Sequence, residues 1–198
     1  MKSGMRAVGT VAVAAALFAM PFVAGAQEKG VRFGVSAGLS VPMGKLGDVN
    51  GTGYNLTGHA TLSPSSLANL SFRGDVGIDR FDAKESIGSL TQKGGVTMIG
   101  FTANAIYAFS QDDPGAVTRP YILVGGGFFN GRSKVTSILG AAEDTDSSNS
   151  TDAGIQFGGG MEFNLSSGFG AFAEAKLVNV FGDGSSRRWI PISFGVRF

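Results

Sequence analysis

Trp189-Ile190-Pro191-Ile192-Ser193-Phe194-Gly195-Val196-Arg197-Phe198 is the stretch on which the fold of this chain turns. Ile190, Ile192, Phe194, Val196 and Phe198 occupy every second position, with Trp189, Pro191, Ser193, Gly195 and Arg197 between them. Side chains alternate across a strand, so a period of two sets an apolar row on one face and a more polar row on the other. That pattern suits a strand with lipid on one side and a polar interior on the other. Pro191 removes a ladder donor inside this strand, which predicts a bulge or a position near the rim.

Outward from this stretch the same alternation recurs, giving eight candidate strands. The first, about residues 31 to 40, sets Val31, Phe33, Val35, Ala37 and Leu39 against Arg32, Gly34, Ser36, Gly38 and Ser40. The second, near 54 to 62, turns Tyr54, Leu56 and Leu62 outward and Asn55, Thr57 and His59 inward. In the third, Leu70, Phe72, Val76 and Ile78 oppose Arg73, Asp75 and Asp79. The fourth, about 96 to 109, turns Phe101 and Tyr107 out and Thr102 and Asn104 in. The fifth, about 121 to 130, is apolar on both faces, so its sides stay open. The sixth sets Ile155, Phe157, Met161 and Phe163 against Gln156, Glu162 and Asn164, and the seventh sets Phe169, Ala173 and Leu177 against Phe172, Glu174, Lys176 and Val178. Eight is an even count, as a closed antiparallel barrel requires.

Energetics fix the register. Slipping the third strand by one residue would place Arg73, Asp75 and Asp79 in lipid, where a basic side chain near the midplane costs about 2–4 kcal/mol. Turned inward, Arg32, Arg73, Asp75, Asp79, Glu162, Glu174, Lys176 and Arg197 supply four bases and four acids. They form a structural lumen charge network that neutralises itself. An eight-stranded barrel has an interior that side chains fill, so a plugged lumen with little continuous water is expected. Inward glycines (Gly34, Gly38, Gly77, Gly158, Gly160 and Gly195) are expected to make room for the long charged side chains. Connections after the second, fourth and sixth strands are short or moderate. Residues 43–53, 82–95 and 131–151 read as longer polar loops, and 182–188 as a short one. Short turns in the periplasm and longer loops outside the cell match that asymmetry, with both termini periplasmic.

The amino-terminal end agrees. Lys2 and Arg6 precede an uncharged run from Ala7 to Met20, then Pro21, then Ala24-Gly25-Ala26. A charged start, an apolar core and small residues at a cleavage site predict a signal peptide over residues 1–26, removed before Gln27. The run is shorter than the roughly 20 residues a membrane-spanning helix requires. The barrel domain is then 27–198. Lys2 and Arg6 are two of 16 basic residues, so the mature chain carries 14 bases against 15 acids, without electrostatic support for nucleic acid. With no cysteine, thiolate metal sites and thiol catalysis are excluded. The 32 glycines show no Gly-X-Y period, so the chain is not collagen-like.

Ala173-Glu174-Ala175-Lys176-Leu177-Val178-Asn179-Val180-Phe181 followed by Trp189 to Phe198 resembles the last hairpin of the small outer-membrane β-barrel domain family, the OmpA-like and OmpX-like eight-stranded barrels. Residues 33–44 and the Arg119-Pro120-Tyr121 start of the fifth strand look similar too. The resemblance implies an all-β fold, an eight-stranded antiparallel up-and-down transmembrane β-barrel preceded by a cleaved signal peptide. It also implies location in the bacterial outer membrane after Sec-type export. Ile192, Phe194, Val196 and Phe198 resemble the assembly signal read by the barrel-assembly machinery. The family carries no shared catalytic residues to transfer, and no peptidoglycan-binding domain follows the barrel in this sequence.

Residues that could carry chemistry have structural readings beside them. His59 is the only histidine, and strand parity turns it inward, where hydrogen bonding in the lumen fits better than a lipid-facing triad. Glu162 and Glu174 could form an acid and base pair, but Arg73, Lys176 and Arg197 share their volume and hold both ionised. Residues 143–152 are rich in oxygen ligands yet lack EF-hand spacing, so a solvated loop is expected there. Gly125-Gly126-Gly127 and Gly158-Gly159-Gly160 lack the Lys-Ser/Thr of a phosphate loop. No catalytic, cofactor or metal residue is expected.

The function expected is a non-enzymatic platform in the outer membrane whose loops meet other surfaces. The alternatives are a narrow pore or transporter of small hydrophobic molecules, a lipid A-modifying enzyme, and a soluble lipocalin-like carrier. The carrier would need inward apolar faces. Outer-membrane lipid and lipopolysaccharide are the expected partners, and a monomer suffices because a closed barrel has no edge to pair.

Overall fold

A computed structural model of the protein describes residues 31–67, 69–83, 91–109, 117–139, 142–166, 168–182 and 185–198. The expected signal peptide lies outside them. Eight strands close into one antiparallel barrel in sequence order: β1 Val31–Met43, β2 Gly53–Leu62, β3 Leu70–Asp82, β4 Thr91–Ala108, β5 Thr118–Leu139, β6 Ala142–Ser166, β7 Phe169–Gly182 and β8 Ser185–Arg197. β8 pairs with β1, so no edge is left around the girth. Following paired residues once around leads from Arg32 through Thr61, Arg73, Asn104, Gly125, Gln156, Val178 and Trp189 to Pro42. The return point lies further along β1 than the start, which is the stagger a closed barrel of tilted strands requires.

The alternating rows fall as the period of two dictates. Phe33, Leu56, Phe72, Phe101, Phe157 and Phe194 are exposed on the outer surface, while Ser36, Asn55, Arg73, Asn104, Gln156 and Ser193 are buried inside. A continuous exposed apolar belt of this extent belongs against hydrocarbon. For β5, whose sides the sequence left open, Tyr121, Leu123 and Phe129 face in and Ile122, Val124 and Phe128 face out.

Four expectations are corrected. Residues 131–151 are not a loop: β5 runs on to Leu139 and β6 begins at Ala142, paired without a break from Gly131↔Ser150 to Leu139↔Ala142. The β-branched Val135, Thr136 and Ile138 and the strand partner extending alongside outweigh the polar composition that suggested a loop. β7 pairs with β6 only from Gly154 onward, whereas β4 stays paired with β5 as far as Thr91↔Ile138, so the β5–β6 hairpin, flanked by β4, projects beyond the rest of the barrel wall. The expected loops at 82–95 and 182–188 likewise give way to strand at Thr91 and Ser185. Pro191 makes neither a bulge nor a rim position. It faces the lumen opposite Ser40, and the β7–β8 register is the same at Ala175↔Ile192 and Val178↔Trp189, the ladder skipping the two pairs between. The missing donor is absorbed by that gap.

One helical turn, α1 at Lys45–Val49, fills the β1–β2 connection. Gly44 before it has φ 55°, a left-handed conformation that favours glycine. Asn50 closes the turn through its backbone N–H and side-chain Nδ2, both donating to the Leu46 carbonyl, and Gly51 N–H donates to the Asp82 carbonyl at 2.9 Å. Leu46 is thereby held over the mouth of the barrel.

Candidate functional site

The lumen is stacked in layers. At the end that holds Val31 and Phe198, Arg197 Nη1 donates to Glu162 Oε2 at 2.6 Å and Arg32 Nη1 reaches Glu162 Oε1 at 3.5 Å. Above them Arg73 holds two carboxylates: Nε and Nη2 donate to Asp75 at 2.8 and 3.1 Å, and Nη1 and Nη2 donate to Glu174 at 2.7 and 2.9 Å. Lys176 Nζ lies 3.6 Å from Asp75 and 3.4 Å from Glu174, and the Tyr121 hydroxyl donates to Glu174 at 2.8 Å. Two cations and two anions make this quartet neutral, and all four are buried. Alongside runs a relay in which Ser193 donates to Asn55, Asn55 to Ser40 and Ser40 to Asp79.

Seven of the eight charges expected in the lumen network thus meet as ion pairs, in two clusters. Asp79 stands apart: it accepts from Ser40 rather than from a base, because Arg73 is fully engaged nearer the terminal end. His59 is inward and buried, but its Nε2 has no hydrogen-bond partner. Its ring packs edge-on against Phe172 at 5.3 Å, and Phe172 also lies under the Arg197 guanidinium at 5.6 Å. The expected hydrogen bonding is replaced at that atom by ring packing. The inward glycines serve these rings more than the long charged chains. A Cβ on Gly34 would strike His59, one on Gly160 the Tyr121 hydroxyl at 2.5 Å and one on Gly195 the Phe172 ring at 2.5 Å.

Towards the hairpin end the lumen turns apolar, which the sequence reading did not foresee. Phe81, Met98, Phe129, Val178, Val180 and Trp189 meet beneath Leu46 of α1. Phe81, Met98, Val180 and Trp189 are 0 % exposed, so water reaches them from neither mouth. Phe81 and Phe129 meet Trp189 edge-on at 6.1 and 5.7 Å. Above this cap Arg187 reaches Asp152 at 3.5 Å and donates to Ser150 at 2.9 Å. Of the segment weighed as a calcium loop, Asp152 is therefore a strand residue paired to a base, and the side chains of residues 143–146 lie outside the described ones. Among the described residues no group of three metal-ligating side chains assembles. The glycine triplets sit within β5 and β6, as strand backbone.

Residues 10–198 match the family described as the outer membrane protein β-barrel domain. The chain belongs to that family. It is accordingly an outer-membrane β-barrel protein, and the lipid-facing reading of the exposed belt follows. Among solved structures this barrel is similar to Neisserial surface protein A, at 17% identity and TM-score 0.55, over 85% of this chain and 96% of that one. It is similar to a major outer membrane protein from Thermus thermophilus at 12% identity and TM-score 0.55, over 85% and 98% of the two chains. At these identities the likeness is one of fold. No curated protein matches the chain in sequence.

Proposed function

We propose that this outer-membrane barrel is a closed, non-enzymatic platform, with both termini in the periplasm and the β5–β6 hairpin projecting outside the cell as a surface for contact with other molecules. The observation that carries the reading is the apolar cap stacked on the buried ion quartet. An ion crossing the lumen would have to pass Phe81, Met98 and Trp189 without water and then displace Arg73 from two carboxylates. The hairpin supports the other half of the reading. From Ala142 to Ala153, β6 has β5 on one side and no strand on the other among the described residues, so its backbone donors and acceptors on that side can take an extended partner. Lumen carboxylates held by Arg73, Lys176 and Arg197 serve packing rather than proton transfer, and no nucleophile with a base and an orienting acid assembles among the described residues.

Planar-bilayer recording on the purified mature protein tests this. No stable unitary openings are expected, and reproducible openings would replace the platform with a pore. Shortening the hairpin to a two-residue turn after Arg132 should leave insertion and the heat-dependent gel shift intact. Loss of insertion would make the hairpin part of the scaffold instead.

We also infer that Phe198 acts in assembly. Its backbone pairs with Phe33 in both directions at 2.8 and 2.9 Å, so deletion would remove structure as well as signal. Phe198→Ala keeps those bonds and removes only the ring. The amount of heat-shifting protein in the outer-membrane fraction should fall severalfold, and a wild-type amount would contradict the role.

A further inference from the structure

The outer surface of the barrel is charged at one end only. In the terminal half, no outward position among the described residues holds a charged side chain. At the hairpin end, Arg80 on β3 and Arg132 and Lys134 on β5 face outward and are exposed. Tyr54, Arg80, Thr97, Arg132 and Asn149 are successive partners in one row across five strands. Neighbouring strands lie about 4.8 Å apart, so the two arginine backbones stand about 10 Å apart, with the short Thr97 between them. The next row outward is Asp82, Gly95, Lys134 and Ser147, in which Gly95 contributes no side chain. The result is a cleft of about 450 Å³ with Gly94, Gly95 and Thr97 on its floor and Arg80, Arg132 and Lys134 on its walls.

Its height decides what could fill it. One outward step towards the terminal end, the row reads Leu56, Ile78, Ile99 and Asn130, and the step after that reads Val76, Phe101 and Phe128. Each step is two residues, about 7 Å, so the cleft sits immediately above the hydrocarbon band, at the depth of lipid headgroups. Asp82 is the one acid beside it among the described residues. It lies 3.7 Å from Arg80, with their side chains 73% and 53% exposed, which is a loose surface contact. Arg132 Nε donates to Asn130 at 3.3 Å, leaving its remaining N–H groups to point elsewhere. Three bases against one acid, two of them planar guanidinium forks, form a receptor for phosphate oxygens.

We propose that this cleft binds the phosphorylated saccharide headgroup of the outer-leaflet glycolipid, lipopolysaccharide, and so fixes one such lipid against β3, β4 and β5. The assignment rests on the orientation given above, with the hairpin outside the cell. The saccharide lies over the glycine floor, its phosphates lie between Arg80, Arg132 and Lys134, and its acyl chains run down over Ile78, Ile99 and Phe101.

The test uses the mature chain refolded in uncharged detergent micelles and titrated with lipopolysaccharide, with enzymatically dephosphorylated lipopolysaccharide, with phosphatidylglycerol and with inorganic phosphate. The wild type and Lys45→Ser, which removes a base on α1 away from the cleft, should bind the phosphorylated glycolipid alike. The variant R80S/R132S/K134S should bind it about 100-fold more weakly, at about a factor of five for each base at an anionic surface. Equal affinity of that variant and the wild type, or no dependence on the glycolipid phosphates, would overturn the site. Equally tight binding of phosphatidylglycerol or phosphate would overturn the glycolipid as its occupant. Should the triple variant fail to give the heat-dependent gel shift, Arg132→Ser alone should lose about fivefold, and no loss would again overturn the site. Conductance of the same preparations separates the two readings: openings would end the closed platform without altering the binding result.

Discussion

Arg73→Ala is expected to destabilise the folded barrel by about 3–5 kcal/mol, the range for breaking a buried ion pair by removing one partner. Arg73 is 2 % exposed and donates four hydrogen bonds, two to each of Asp75 and Glu174. Alanine leaves two carboxylates in the lumen with Lys176 as their only neighbouring base, at 3.6 and 3.4 Å, and turns a neutral quartet into a cluster of charge −1. Arg73→Lys keeps the charge but has no planar fork to serve two carboxylates together, so it should lose about 1–3 kcal/mol, the cost of hydrogen bonds left unmade at buried groups. Adding Glu174→Gln to Arg73→Ala removes one of the stranded charges and should recover part of the loss, giving a coupling term in a double-mutant cycle. Urea unfolding in micelles, followed by the fluorescence of the single tryptophan, reads the wild type, Arg73→Ala, Arg73→Lys, Glu174→Gln and the double variant. An Arg73→Ala barrel as stable as the wild type would mean that water enters the lumen and screens the quartet, which would remove half the argument for a closed barrel.

The quartet was legible in the sequence because its members obey one rule. Arg73 and Asp75 are two residues apart on β3, Glu174 and Lys176 two apart on β7, and each lies in the row opposite a lipid-facing apolar row. Strand parity alone therefore puts all four inside. What parity does not supply is height. Arg197 and Glu162 sit near the terminal end, Arg73 and Glu174 higher, and Asp79 higher again, and only the stagger between strands separates them into two ion clusters and a lone acid. The apolar cap was hidden for the same reason. Phe81, Met98 and Trp189 follow the inward parity of Asp79, Gly100 and Ser193, but they lie on three different strands, and only the stagger between those strands brings them to one height. Parity itself was obscured in β5, where Leu123 and Phe129 face in between outward Ile122, Val124 and Phe128. The projecting hairpin was missed because its Ser, Thr, Asn and Asp residues have loop composition, while the strand pairing that orders them comes from its neighbour. The basic cleft joins Arg80 to Arg132, 52 positions apart, through Thr97, a contact that exists only once β3, β4 and β5 are in register.

Trp189→Ala is expected to cost about 3–5 kcal/mol, the range for truncating a fully buried aromatic side chain. The indole is 0 % exposed and is the centre of the cap, touched edge-on by Phe81 and Phe129. Its cavity cannot collapse, because β3, β5 and β8 are each held by strands on both sides and the wall does not move inward to fill it. Trp189→Phe keeps a ring between the two phenylalanines and should lose about 1–2 kcal/mol. With the tryptophan gone, stability is followed by the fraction that keeps its gel shift as urea rises. These variants also separate the two barriers to ions. Trp189→Ala loosens the cap but leaves Arg73, Lys176, Asp75 and Glu174 across the lumen beneath it. Arg73→Ala loosens the quartet but leaves Phe81, Met98 and Val180 above it. Each single variant should therefore stay silent in planar bilayers, and only the double variant should show openings. Openings from Trp189→Ala alone would make the cap the one effective barrier, and silence of the folded double variant would place the barrier elsewhere, at the Glu162, Arg197 and Phe172 layer.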